Sequence, residues 1–203
     1  MSAPKHQPDA GEKAEEDRAL MVRVQAGDEA ALGFLMDRWE LPVTALIARL
    51  LLNRTEAAEL AQETFVRVWQ QRTRYRPAAA FRPWIFAIAV NLARNRLRWW
   101  RRRPQVALDA WTEGLADEAA GASGAPRLEE AERAAAVRDA VAALPLDQRE
   151  ALVLFEYEGL AQAEIAAAVG ATPKAVETRI HRAREKLRRS LRGWMVGGGV
   201  VGS

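Results

Sequence analysis

At 203 residues, 49% of them apolar, the chain is long enough for one domain or two small ones and has the nonpolar side chains to bury a core. With no cysteine and only His6 and His181, it lacks the parts of a disulfide framework, a thiolate zinc site or a thiol nucleophile, and most enzyme mechanisms lose their groups. The net charge of +3 hides two basic blocks around an acidic middle: residues 64–103 hold 11 arginines and no carboxylate, residues 104–132 sum to −6, and residues 171–203 to +6.

Apolar residues recur at three and four positions rather than two, so the chain reads as all-α with no strand. After a polar leader over 1–16, expected to be disordered, a first helix spans 17–25 and stops at Gly27. Asp28 caps a second that turns Ala31, Leu35 and Trp39 inward and is kinked by Pro42. Thr55 caps a third over 55–71, and a turn at 75–77 leads to a fourth over 82–101. Residues 104–127, rich in Gly, Ala, Ser, Pro and acids, read as a flexible linker. A second domain over 128–192 begins with a helix over 128–143, then places Asp147 and Glu150 in a capping box. A short helix over 162–169 follows, and Thr172-Pro173 starts the last one before a Gly-rich tail over 193–203.

Two helices joined by a Gly-containing turn, the second basic, form a helix-turn-helix pattern whose second helix enters a DNA major groove. Val176, Ile180, Ala183, Leu187 and Leu191 make one apolar stripe, which turns the polar residues outward. Thr172, Lys174, Glu177, Thr178 and His181 then stand where base edges are reached, and Arg179, Arg182 and Arg184 where phosphates are.

Between residues 64 and 103 the arginines alternate with eight aromatic rings, the combination that single-stranded nucleic acid needs, since each stacked base is worth ~1–3 kcal/mol. Phe65, Trp69 and Phe86 read better as core, whereas Tyr75, Asn91, Arg94, Asn95 and Arg98 are hard to place in one. The polar start and the lack of an apolar run near ~18 residues argue against a signal peptide or membrane span, so a cytoplasmic protein is expected.

Residues 55–70 (TEAAELAQETFVRVWQ) followed by 81–98 (FRPWIFAIAVNLARNRLR) resemble region 2 of a bacterial extracytoplasmic-function (ECF) sigma factor. Residues 144–150 (LPLDQRE) with 171–187 (ATPKAVETRIHRAREKL) are similar to that family's region 4, and 17–28 (DRALMVRVQAGD) extend the match. The resemblance implies two helical domains, region 2 over 17–103 and region 4 over 128–192. It also implies partners: core RNA polymerase and promoter DNA, duplex and single-stranded. An anti-sigma partner is common in the family, though no residue here signals one.

Carried over by position, the resemblance assigns Glu56, Glu59, Gln62 and Glu63 to polymerase docking. It assigns Arg74, Tyr75, Arg76, Trp84, Asn91, Arg94, Asn95 and Arg98 to the minus-ten element, with Trp84 either core or flanking the melted strand. The minus-thirty-five set is Thr172, Lys174, Glu177, Thr178, Arg179, His181 and Arg182. Two positions depart from the family pattern: Ala58 where an acid is usual, and Glu177 where Lys or Arg is common. No cofactor, metal or catalytic residue is expected. The competing readings are a polymerase-independent helix-turn-helix regulator and a helical adaptor with no DNA role. The linker acids Asp109, Glu113, Asp117 and Glu118, or the N-terminal acids, are expected to screen the basic blocks in the free protein.

Overall fold

Gly27 adopts φ +94°, which only glycine accepts cheaply, and this turn lets helix α1 (Ala10–Gln25) fold back on α2 (Glu29–Leu51). Asp28 caps α2 as its sequence predicts, its Oδ1 accepting from the Ala31 N–H at 3.1 Å. The computed structural model describes residues 10–103 and 125–196, and no strand occurs among them. Helix α1 begins seven residues ahead of the expected start, inside the supposed leader. Helix α2 runs through Pro42 without interruption.

The third helix, α3 (Arg54–Gln70), is capped by Asn53 rather than Thr55: Asn53 Oδ1 accepts from the Glu56 N–H at 2.9 Å. A single 3-10 turn (Arg72–Arg74) then leads to α4 (Phe81–Arg101). These four helices enclose Met21, Leu35, Leu46, Ile47, Leu50, Phe65, Phe86 and Val90. Trp39 stands edge-on to Phe81 and Phe86 at centroid distances of 5.9 and 5.7 Å, a favoured aromatic geometry.

The second unit comprises α5 (Ala125–Ala142), α6 (Leu146–Glu156), α7 (Gln162–Val169), α8 (Pro173–Ser190) and the short α9 (Arg192–Val196). Gly170 at φ +67° makes the left-handed turn between α7 and α8, and Thr172 Oγ1 accepts from the Ala175 N–H at 3.2 Å. The expected capping box at Asp147 does not form: α6 starts at Leu146 after Pro145, without a side-chain cap. Glu150 is buried instead. The leader over 1–9, the linker core over 104–124 with its four acids, and the tail over 197–203 lie outside the described residues.

The two units meet directly. Helix α6 lies against α2 and α7 against α4, so one apolar core runs from Leu35 through Ile85 to Leu154 and Ile165. Arg149 spans the seam, donating from Nη1 to the Leu50 carbonyl at 2.8 Å and from Nη2 to the carbonyls of Ala142 and Leu144. Leu50 and Ala142 lie in the last turns of α2 and α5, where carbonyls have no partner within the helix.

Candidate nucleic-acid interface

Helix α8 owes its orientation to Val176, Ile180 and Ala183, all buried, with Leu187 packed behind them. Thr172, Lys174, Glu177, His181 and Arg182 are consequently exposed, and Thr178 and Arg179 half-exposed. Lys174 pairs with Glu177 at 2.9 Å, and the Thr178 hydroxyl donates to the Lys174 carbonyl at 2.9 Å. The cationic residues divide by partner. Arg179 leans back to Asp147 at 3.3 Å, and Arg184 donates to Glu156 while lying 5.2 Å from the centre of the Phe155 ring. Arg182 makes no ion pair among the described residues, which leaves its full charge for a polyanion.

In the first unit, α4 is buried through Ile85, Phe86, Ala89, Val90 and Ala93. Asn91, Asn95 and Arg98, spaced at four and three, form an exposed stripe on its outer side with no side-chain hydrogen bond or ion pair among the described residues. Arg74 and Arg76 are exposed in the preceding loop. Arg103 lies 4.9 Å from the Trp99 ring centre and extends this basic side.

Two minus-ten candidates are placed differently from the reading of the sequence. Tyr75 is core, only 2% exposed, packed edge-on against Trp84 and Phe81, with its hydroxyl donating to the Ala79 carbonyl at 2.5 Å. Burial raises its pKa, which keeps the phenol neutral. Trp84 is half-buried beside it. Arg94 turns inward: its Nε and Nη2 donate to Glu150 Oε1 and Oε2 at 2.6 and 2.5 Å, and its Nη1 to the Val169 carbonyl at 3.2 Å. The bonds to Glu150 raise the Arg94 pKa further.

On α3, Glu59 and Gln62 are exposed, whereas Glu63 is half-exposed and paired with Arg67 at 2.7 Å. Glu56 faces α4, where it forms an ion pair with Arg96, so it sits apart from the open side. Sequence reasoning missed Val66, which is 47% exposed four residues beyond Gln62. Its signal was present, as an apolar residue off the buried stripe.

Among the described residues no helix is long and apolar enough to cross a membrane, and no group of His, Asp and Glu is arranged to hold a metal ion. The family model for Sigma-70 region 2 matches residues 35–103, and that for Sigma-70 region 4 matches 134–187. The chain is 34% identical over 184 residues to the RNA polymerase sigma-H factor of Pseudomonas aeruginosa, covering 87% of this chain and 94% of that one. This chain is an ECF sigma factor of the sigma-70 family.

Another relative is the RNA polymerase sigma factor CarQ of Myxococcus xanthus, 37% identical over 171 residues, with 84% of this chain and 95% of CarQ covered. Among solved structures, CnrH in complex with the cytosolic domain of CnrY superimposes with a TM-score of 0.63 at 31% identity, covering 88% of this sigma factor and 98% of CnrH. The sigma factor's α3, α4 and most of α2 thus fall in region 2, and α6, α7, most of α8 and the end of α5 in region 4.

Proposed function

We propose that this sigma factor binds core RNA polymerase and directs promoter-specific initiation, reading minus-thirty-five duplex DNA with α8 and capturing melted minus-ten DNA on α4. The observation that carries the reading is the exposed Asn91, Asn95 and Arg98 stripe on a helix whose opposite side is buried. Two amides and a guanidinium supply donors and acceptors for base edges and phosphate at one-turn intervals. Asn91 is the residue for a flipped minus-ten base, with Arg74 and Arg76 guiding the strand. On α8, Lys174, Glu177, Thr178 and His181 face the groove, and Arg179 and Arg182 the phosphates. Thr172 sets the start of the reading helix.

Extracting a base from its stack costs a few kcal/mol, and capture in a pocket returns about as much. Melting therefore needs the added contacts of polymerase, which docks on Glu59 and Gln62 of α3, with Glu63 and Glu56 shaping that surface from its edge. The likeness to CnrH, solved with a bound protein segment, supports a regulatory protein partner for this chain as well. The test is in vitro transcription with purified core polymerase on a genomic promoter library. Start sites sharing a two-part upstream motif are expected. Tight duplex binding by the isolated chain, with no transcription when polymerase is added, would instead indicate a polymerase-independent regulator.

A further inference from the structure

We propose that Gln25, the last residue of α1, is a positioning residue for strand capture: it shapes the loop that carries Arg74 and Arg76 and so helps set which base is accepted there, a role that rests on the minus-ten reading of those two arginines. Gln25 Nε2 donates to the Arg72 carbonyl at 3.0 Å and to the Tyr75 carbonyl at 2.8 Å, so one amide group spends both of its hydrogens on a single turn of backbone. The Tyr75 carbonyl belongs to the peptide that leads into Arg76. The Arg72 carbonyl also accepts from the Tyr75 N–H at 3.2 Å. Holding both oxygens therefore fixes the chain from Arg72 to the start of Arg76.

The direction of both arginines follows from that backbone. Tyr75 is extended, with φ −66° and ψ 135°, a conformation in which successive side chains point to opposite sides. Its ring is buried, so Arg74 and Arg76 are turned outward, and neither has a side-chain hydrogen bond or ion pair among the described residues. Just beyond them the Ala79 N–H closes a turn on the Arg76 carbonyl at 2.8 Å. Gln25 bonds backbone, so it specifies the shape of the loop whatever side chains the loop carries. Its own helix is anchored about two turns earlier, where Asp17 accepts from Arg38 and Trp39. A loop already held in its binding shape loses less freedom on meeting DNA. Removing the Gln25 donors should thus weaken capture of the preferred strand about 3–10-fold, with less effect on other sequences.

The experiment compares the full parent chain with Gln25→Met, which keeps the side-chain length without a donor, and Gln25→Lys, which keeps a donor. Hydrogen exchange is followed at the loop amides of Arg74, Tyr75 and Ala79, and a pool of random-sequence single strands is partitioned by each protein and sequenced for base preference. Gln25→Met should speed exchange about fivefold and flatten the preference at the most selective position about 3–10-fold, with duplex binding by α8 unchanged. Gln25→Lys should restore most of both. Its added charge strengthens binding to every strand alike, so preference rather than affinity is compared. Unchanged exchange in Gln25→Met overturns the brace. Faster exchange with unchanged preference, or equal losses in the two variants, overturns the part in base choice. A parent that distinguishes no base overturns the minus-ten reading and the base choice with it, while exchange, read without DNA, still decides whether Gln25 shapes the loop.

Discussion

Trp39 donates through its indole N–H to Asp17 Oδ2 at 3.0 Å, tying the buried side of α2 to α1. Arg38 donates to the other oxygen, Oδ1, at 2.7 Å. Asp17 is buried, and burial raises its pKa against the opposing pull of Arg38 and Trp39. Asp17→Ala leaves an indole N–H and a guanidinium without their acceptor and should cost about 1–3 kcal/mol in urea unfolding. Asp17→Asn keeps one acceptor oxygen and should cost less; equal stability of all three proteins would contradict this role.

Asn53, not Thr55, starts α3. Asn53→Ala should lower stability by about 1 kcal/mol through loss of the cap, while Thr55→Ala at an exposed position should change it by less than about 0.5 kcal/mol. Thermal unfolding of the two variants decides the matter, and a larger loss for Thr55→Ala would be the contrary result.

Two glutamates of α3, Glu59 within the proposed docking surface and Glu56 at its edge, should behave differently. Glu59→Arg reverses an exposed charge and is expected to weaken polymerase binding at least tenfold with stability intact. Glu56→Gln disrupts the pair with Arg96, so its main effect should be on unfolding. Competition binding to core polymerase, paired with urea melts, separates the two.

Arg182→Ala should weaken duplex binding about uniformly across sequences and reduce the slope of log K against log salt by about 1, as expected for one lost phosphate contact. Arg184→Ala should change that slope less, because Glu156 already neutralises Arg184. Identical slopes for both variants would remove the distinction drawn from their partners.

Glu158 carries an acid-base prediction whose sign runs against intuition for an ion-paired carboxylate. Burial raises its pKa above the ordinary 4.5, and Arg49 and Arg82 offset this only in part. A carboxyl with a raised folded pKa contributes most below its unfolded value and loses that contribution as pH rises through the folded value. Glu158→Gln should therefore improve relative to the parent as pH climbs from 4.5 through the raised pKa. Carbon-detected NMR of the Glu158 carboxyl provides the check: a midpoint below 4.5 would reverse the sign.

Where the sequence was legible, the cause was periodic and local. Val176, Ile180 and Ala183 repeat at helical spacing, Asp28 and Thr172 sit directly before their helices, and Gly27 and Gly170 mark turns that need positive φ. The failures were competitions that a linear pattern does not resolve. Asn53 outcompeted Thr55 for the same N-terminus. Glu150 looked like half of a capping box, but its partner Arg94 is 56 positions away in sequence. Tyr75 appeared too polar for a core, but a carbonyl four residues on accepts the hydrogen bond from its hydroxyl.

Arg149 adds a constraint on direction. Its flat guanidinium bonds the Leu50 carbonyl on one side of the seam and the Ala142 and Leu144 carbonyls on the other, so it fixes angle as well as distance. Gliding α6 along α2 by one residue's rise, about 1.5 Å, would break the bond to the Leu50 carbonyl while the bonds to Ala142 and Leu144 travel with α6. The two halves of the molecule are thus keyed to one register, as a tongue is to its groove.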